Sequence, residues 1–235
     1  MEKQWWRAVQ PISMLTLNLP QNGVSRFKVL CLGCHSDDIE IGCGGTILQW
    51  LSSHKNLEIV WVVFSSGGSE REKEARASAG LFLEQAKKQE VMIKDFRDGF
   101  FPFDGTNIKT VFEDELKKTS PDVIFTHNRK DAHQDHRQIG ELTWNTFRDH
   151  LILEYEIPKY DGDMGQPNVF VHLNAEASKN KVSYLMEAFQ SQRIKRWFHE
   201  DTFFSLMRLR GMECNAHSGH AEAFYCRKVL LGNVN

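Results

Sequence analysis

The sequence predicts an α/β fold, a single Rossmann-like domain whose mostly parallel sheet carries helices on both faces. Three observations predict it. Short apolar runs at 28–34 and 121–126 have the near-continuous hydrophobicity of strands buried on both sides. Helix-length segments alternate with the strand-like runs, the order that builds a parallel doubly wound sheet. The residues best suited to chemistry, His35-Ser36-Asp37-Asp38 and His133-Gln134-Asp135-His136, follow two of those runs. Ligands of open α/β sheets bind beyond the carboxyl ends of the strands, which is that position.

Taken in order, the first strand is Lys28-Val-Leu-Cys-Leu-Gly-Cys34, with nothing polar after Lys28. Gly42, Gly44 and Gly45 are read as a tight turn opening a helix over 44–54. A strand follows at 57–64, and Gly67-Gly68-Ser69-Glu70 marks a turn and a capped start for a helix over 70–88. A weaker strand is expected near 91–96. The apolar loop Phe100-Phe101-Pro102-Phe103-Asp104-Gly105 either lines a cleft or fills core. A helix at 108–118, the strand at 121–126 and a helix at 136–149 come next. Strands at 152–157 and 168–173 flank the polar stretch 161–165, and a helix at 176–190 and a strand near 222–230 close the chain. Residues 1–26 show no clean pattern and are read as an extension of one domain spanning 1–235, with a catalytic core of about 27–230. Trp5, Trp6 and Trp50 pack locally or at a subunit interface.

Composition narrows the function classes. Lys plus Arg total 29 against 31 Asp plus Glu, a net charge of −2, so no basic excess points to nucleic acid. No apolar run approaches the ~20 residues that cross a bilayer. The opening Met-Glu-Lys-Gln-Trp-Trp-Arg lacks a signal-peptide core, and a cytoplasmic enzyme is expected. The cysteines, at 31, 34, 43, 214 and 226, are odd in number, against a full disulfide framework. Cys31-x-x-Cys34 has redox-motif spacing, but three residues apart on a strand sends the two to opposite faces, and buried thiols are the preferred reading.

His35, Asp38 and His136 offer the imidazole and carboxylate donors that a borderline ion such as zinc takes, three from the protein with one position left open. Asp37 remains beside them, placed as a general base for a water at the metal. Each cluster alone has a plainer reading. An Asp-Asp pair after a strand is often a helix N-cap and first-turn acid. His133 and His136, three apart, share a helix face as surface or core histidines do. The glycines form neither a full dinucleotide fingerprint nor a P-loop. Two His/Asp-dense loops at strand ends in one chain favour a metal site. His217 and His220 are further ligand candidates, in a loop that is mobile, substrate-facing or purely structural.

At these residues the chain resembles the LmbE-like or PIG-L deacetylases, zinc-dependent hydrolases of N-acetylglucosamine derivatives. The family's Ala-His-Pro-Asp-Asp-Glu and Gly-Gly-Thr segments match Cys34-His35-Ser36-Asp37-Asp38-Ile39 and Gly44-Gly45-Thr46. Its His-x-Asp-His matches His133-Gln134-Asp135-His136. Arg71-x-x-Glu74-Ala75 and Ala221-Glu222-Ala223-Phe224 match more weakly, and the likeness runs over about 28–230. The resemblance implies zinc on His35, Asp38 and His136, although Fe2+, Mn2+ or Co2+ would suit the same donors. It implies Asp37 as general base, His133 as acid or electrostatic stabiliser, and Asp135 as the carboxylate orienting His133. Arg71 would contact the sugar, with Gly44 and Gly45 beside the substrate. It also implies a homo-oligomer, a trimer or hexamer. Two departures stand out. Ser36 and Gln134 replace prolines that stiffen the loops, and Asp131 stands where some members place an oxyanion-stabilising tyrosine.

The function expected is therefore removal of acetyl from an N-acetylated amino sugar: a GlcNAc-type conjugate, a nucleotide sugar or a natural-product precursor. The alternatives are a metal-dependent deacylase of another small amide, or a sugar- or nucleotide-binding protein without activity.

Overall fold

Seven strands form one sheet in the order β3-β2-β1-β4-β5-β7-β6 in the computed structural model, which describes residues 16–17 and 26–230. They are β1 (Phe27–Gly33), β2 (Leu57–Ser65), β3 (Lys88–Phe96), β4 (Val123–His127), β5 (Leu151–Tyr155), β6 (Val169–Leu173) and β7 (His220–Cys226). The first five in that order pair in parallel. β7 runs antiparallel to both of its neighbours.

β1 is central and apolar on both sides, as its sequence requires. Val29 and Cys31 enter one core with residues of α1 (Asp38–Ser53), α2 (Glu70–Phe82), α5 (Ala175–Ala188) and α6 (Glu200–Glu213). Leu30, Leu32 and Cys34 enter the other with α3 (Gly105–Asp114) and α4 (Gln134–Thr146). Cys31 and Cys34 thus lie on opposite faces as buried free thiols. Trp50 packs on Phe27 and Phe125, ring centroids 6.4 and 5.4 Å away, and belongs to the core. Trp5 and Trp6 lie outside the described residues. Among the described residues no helix is long and apolar enough to cross a membrane.

Three expectations need correction. α1 starts at Asp38, not after the glycines, so Gly42, Gly44 and Gly45 lie within it and are buried. Their role is close approach. A Cβ on Gly42 would overlap the Tyr155 ring, one on Gly44 would lie 2.5 Å from Phe82 Cε1, and one on Gly45 2.7 Å from Leu173 Cδ1. Gly44 and Gly45 thus let α1 pack closely on Phe82 and Leu173. α2 stops at Phe82, short of 88, because β3 already begins at Lys88. β3 is an edge strand with mixed exposure, hence its weak sequence signal. α6 is an element the sequence reading lacks. Its buried stripe of Phe203, Met207 and Arg210 includes a charge, which blurs the apolar period.

A buried ion pair ties α1 to the antiparallel edge. Lys181 Nζ donates to Ile41 O and Glu222 Oε1, both at 2.6 Å. Glu222 accepts the backbone N–H of Gly45 at 2.9 Å and of Thr46 at 2.6 Å. Lys181 and Glu222 thus hold a backbone acceptor and two backbone donors of α1, one turn apart.

Candidate metal centre

The β1–α1 turn and the start of α4 bring His35, Asp38 and His136 together. His35 N–H donates to Asp38 Oδ2 at 2.7 Å, which fixes the carboxylate at the helix start. His136 Nε2 lies 3.2 Å from His35 Nδ1 and 3.5 Å from Asp38 Oδ1, and His35 Nδ1 lies 3.3 Å from Asp38 Oδ2. Tetrahedral donors at ~2.0–2.1 Å from zinc stand about 3.3 Å apart. Both the spacing and the donor types of this trio fit a first-row divalent ion.

The outward nitrogen of each histidine meets a carboxylate. His136 Nδ1 is 3.0 Å from Asp131 Oδ2, which Lys159 Nζ also approaches at 3.0 Å. His35 Nε2 is 3.0 Å from Asp98 Oδ1 and 3.5 Å from Asp135 Oδ2. A carboxylate facing each outward nitrogen favours a ring proton there, which would leave the inner nitrogens as lone pairs for an ion. Burial and then neighbouring His127 lower the pKa of His136 to about 4. Burial opposes ionisation of Asp38, but His136, His127 and His35 outweigh it and hold the carboxyl well below the usual range.

Asp131 therefore backs His136, and its place beside the imidazole is not that of an oxyanion donor. Asp135 also departs from expectation. Its carboxylate accepts Gly99 N–H at 2.6 Å and Phe101 N–H at 3.1 Å and faces His35. It meets His133 only through its own backbone N–H, which donates to His133 Nδ1 at 3.3 Å. His133 is thus the N-cap of α4, with its proton assigned to Nε2. Its ring lies 5.0 Å from that of His35 and 4.6 Å from that of His136. Gln134, in place of a proline, donates to Gly99 O at 2.7 Å and helps fix the same loop.

Asp37 is at the N-cap position of α1 but makes no side-chain cap bond. Its Oδ1 lies 3.3 Å from Arg71 Nη2. Burial raises its pKa, with the Arg71 cation working against that rise. Arg71 Nε is buried without a hydrogen-bond acceptor among the described residues, and Nη2 faces only the Asp37 carboxylate.

His127, the last residue of β4, is a neighbour the sequence reading missed. Its Nε2 lies 3.0 Å from Cys34 N, 3.1 Å from Asp38 Oδ2 and 3.1 Å from Tyr155 Oη. Its ring stacks on His136 at 3.9 Å. With Cys34, Asp38 and His136 it makes a fully buried donor set, and Asp98, His35, His133 and Asp135 make another. The available signal was position: His127 directly follows the run assigned to 121–126. His217 and His220 join none of the donor sets found among the described residues.

A family model described as PIG-L, GlcNAc-PI de-N-acetylase, matches residues 30–147, half of the chain. The chain belongs to the PIG-L family. Every residue of the candidate centre, from His35 to His136, lies within the matched PIG-L segment. The curated Escherichia coli K12 protein named uncharacterized deacetylase YaiS is 28% identical over 145 residues, 57% of this chain and 75% of that protein. The fold matches the conserved protein TT1542 from Thermus thermophilus with a TM-score of 0.68 at 20% identity, over 87% of this chain and 96% of that one. N,N'-diacetylchitobiose deacetylase from Pyrococcus horikoshii matches with a TM-score of 0.64 at 21% identity, over 85% and 83%. So does GalB, the 4-carboxy-2-hydroxymuconate hydratase of Pseudomonas putida KT2440, at 0.68 and 15% identity, over 89% and 99%. A hydratase among these folds means that architecture alone does not choose the reaction.

Proposed function

We propose that this PIG-L protein is a zinc-dependent N-deacetylase that hydrolyses the acetamide of an N-acetylated amino sugar. One observation carries the reading: His35 Nδ1 and His136 Nε2 stand 3.2 Å apart, each lies 3.3–3.5 Å from an Asp38 carboxylate oxygen, and both outward ring nitrogens face carboxylates. Fe2+, Mn2+ or Co2+ would suit the same donors. The ion, when bound, supplies Lewis acidity that polarises the carbonyl and lowers the pKa of a water.

The protein's own groups do the rest. Asp37 takes a proton from the attacking water as its oxygen bonds to the carbonyl carbon. Burial, by raising the pKa of Asp37, makes it a better acceptor than an exposed carboxylate. Arg71 holds that carboxylate in place. His133, protonated on Nε2, donates a hydrogen bond to the oxygen that gains charge. Asp37 then returns its proton to the nitrogen as the C–N bond breaks, and acetate and a free amine leave. His133 acts here as a neutral donor: burial and then His35 lower its pKa.

The test is release of free amine from a panel of N-acetylglucosamine conjugates and UDP-linked acetamido sugars by zinc-loaded protein. Release that disappears with chelator and returns with zinc is expected. Stoichiometric zinc without release from any acetamide would overturn the deacetylase reading. The trimer or hexamer suggested by the resemblance is checked on the same sample by sedimentation.

A further inference from the structure

Arg129, Glu141, Trp144, Arg148, Arg227 and Lys228 line one groove of about 650 Å³. Three chain segments meet there: Arg129 follows β4, Arg148 follows α4, and Arg227 and Lys228 follow β7. Trp144 lies eight residues after His136, about 12 Å further along α4, which sets the indole apart from the metal centre. The indole is fixed by its Nε1, which donates to Glu154 Oε1 at 2.5 Å. Two guanidiniums share that ring, with Arg129 Cζ 5.2 Å and Arg227 Cζ 5.3 Å from its centre. Arg129 Nε also donates to Glu154 Oε1, at 2.7 Å, and among the described residues its Nη1 and Nη2 make no hydrogen bond. Arg148 Nε donates to Asn145 O at 3.3 Å, and Lys228 Nζ to Arg148 O, which ties the end of β7 to the end of α4. Among the described residues Arg148, Arg227 and Lys228 pair with no carboxylate.

Four cations thus meet two carboxylates, Glu141 and the buried Glu154, although the whole chain has more acids than bases. Like charges gathered within the ~10 Å Debye length of 0.1 M salt repel one another, and an anion between them removes that repulsion. A guanidinium lying over an indole engages the ring with its face and keeps its edge free, and that edge is the fork that matches two phosphate oxygens. The volume falls within the ~300–1,000 Å³ of sites that take small molecules. We infer that this groove binds a small anion through a phosphate group, held by Arg129, Arg148, Arg227 and Lys228. The phosphate is either free, as phosphate or pyrophosphate, or part of a nucleotide.

The experiment titrates the full-length protein with inorganic phosphate, pyrophosphate and AMP by calorimetry, at low and high salt, beside the R148Q/R227Q variant. Both replaced side chains are exposed, and matching thermal unfolding checks that the fold is kept. One anion per chain is expected, bound less tightly as salt rises, with a Kd about tenfold higher or more in the variant. R227K keeps the charge and loses the fork, and it should lose affinity too. AMP bound more tightly than the inorganic anions assigns a nucleotide; pyrophosphate or phosphate bound as tightly assigns the free anion. No saturable binding of any of the three at low salt overturns the inference. So does binding unchanged in R148Q/R227Q, which would move the anion to the metal centre. Full affinity in R227K would leave diffuse charge attraction in place of a phosphate site, and binding of a single-stranded RNA oligonucleotide without any of the small anions would also overturn it.

Discussion

Asp131 faces His136 with its Oδ2 3.0 Å from Nδ1, and this contact turns the opposite nitrogen, Nε2, towards His35 and Asp38. Lys159 Nζ approaches the same oxygen at 3.0 Å, and the N–H of His133 donates to the other, Oδ1, at 2.8 Å. Carboxylates behind ligating histidines contribute about 10–100-fold to metal affinity. Asp131→Asn should therefore weaken zinc binding by about that factor, and His136→Ala should weaken it further. Competition against a chromogenic chelator measures both. Wild-type affinity in the Asn variant would remove Asp131 from the centre.

Asp37 and Arg71 make a separable pair. Asp37→Asn keeps the three donors and should retain metal while turnover falls about 10²–10⁴-fold, the usual contribution of a general base. Metal content and amine release, measured on one preparation, check this. Turnover at the wild-type rate would reassign the base.

The Arg71 cation also gives a pH signature. It favours the ionised form of Asp37, so it lowers a pKa that burial raises. Arg71→Gln removes the lowering influence, Asp37 takes up its proton at higher pH, and the acid limb of kcat/KM must move upward. A pH–rate profile of the two proteins reads the displacement directly. A limb that stays put or moves downward contradicts the pairing of Arg71 with Asp37.

The parallel core and the metal trio are legible in the sequence because both rest on local signals. β1 and β4 are apolar on both faces, and His35, Asp38 and His136 sit just beyond them. What escapes depends on partners distant in sequence. Asp131 and Asp98 acquire their roles only when their loops fold onto His136 and His35. His127 looks like an ordinary strand end until β1 places the backbone of Cys34 at 3.0 Å. The glycines of α1 are ambiguous for a physical reason: close approach and turn formation both require glycine, and only the ring of Tyr155 and the side chains of Phe82 and Leu173 distinguish them. α6 stays hidden because its inner face includes Arg210, which is buried against Glu156 at 2.7 Å.

The Lys181–Glu222 pair supports the helix that carries Asp38. Both side chains are 4% exposed, so removing one leaves the other charge buried without its partner. Lys181→Met should cost about 3–5 kcal/mol in urea unfolding. Adding Glu222→Leu should recover only part of that loss, because the carboxylate's hydrogen bonds from Gly45 and Thr46 N–H are then lost as well. Full recovery would mean that the pair is replaceable by packing alone.

Two glycine-to-alanine changes within helices should have opposite signs. Alanine has the better helix propensity and restricts the unfolded chain, so a site with room gains about 0.4–1 kcal/mol. Gly80, in α2, has nothing within 4 Å of where its Cβ would stand, and Gly80→Ala should raise the unfolding midpoint. Gly42, in α1, is pressed against Tyr155, whose hydroxyl donates to Leu32 O at 2.6 Å and lies 3.1 Å from His127. That ring is held at both face and tip and has little freedom to move aside. Overpacking there should cost about 1–3 kcal/mol despite the propensity gain, and the displaced ring should disturb the His127 contact to Asp38. Thermal unfolding of both variants, with zinc affinity as a second readout, tests the pair. A stabilising Gly42→Ala would show that α1 and β5 are packed less closely than their contact at Tyr155 requires.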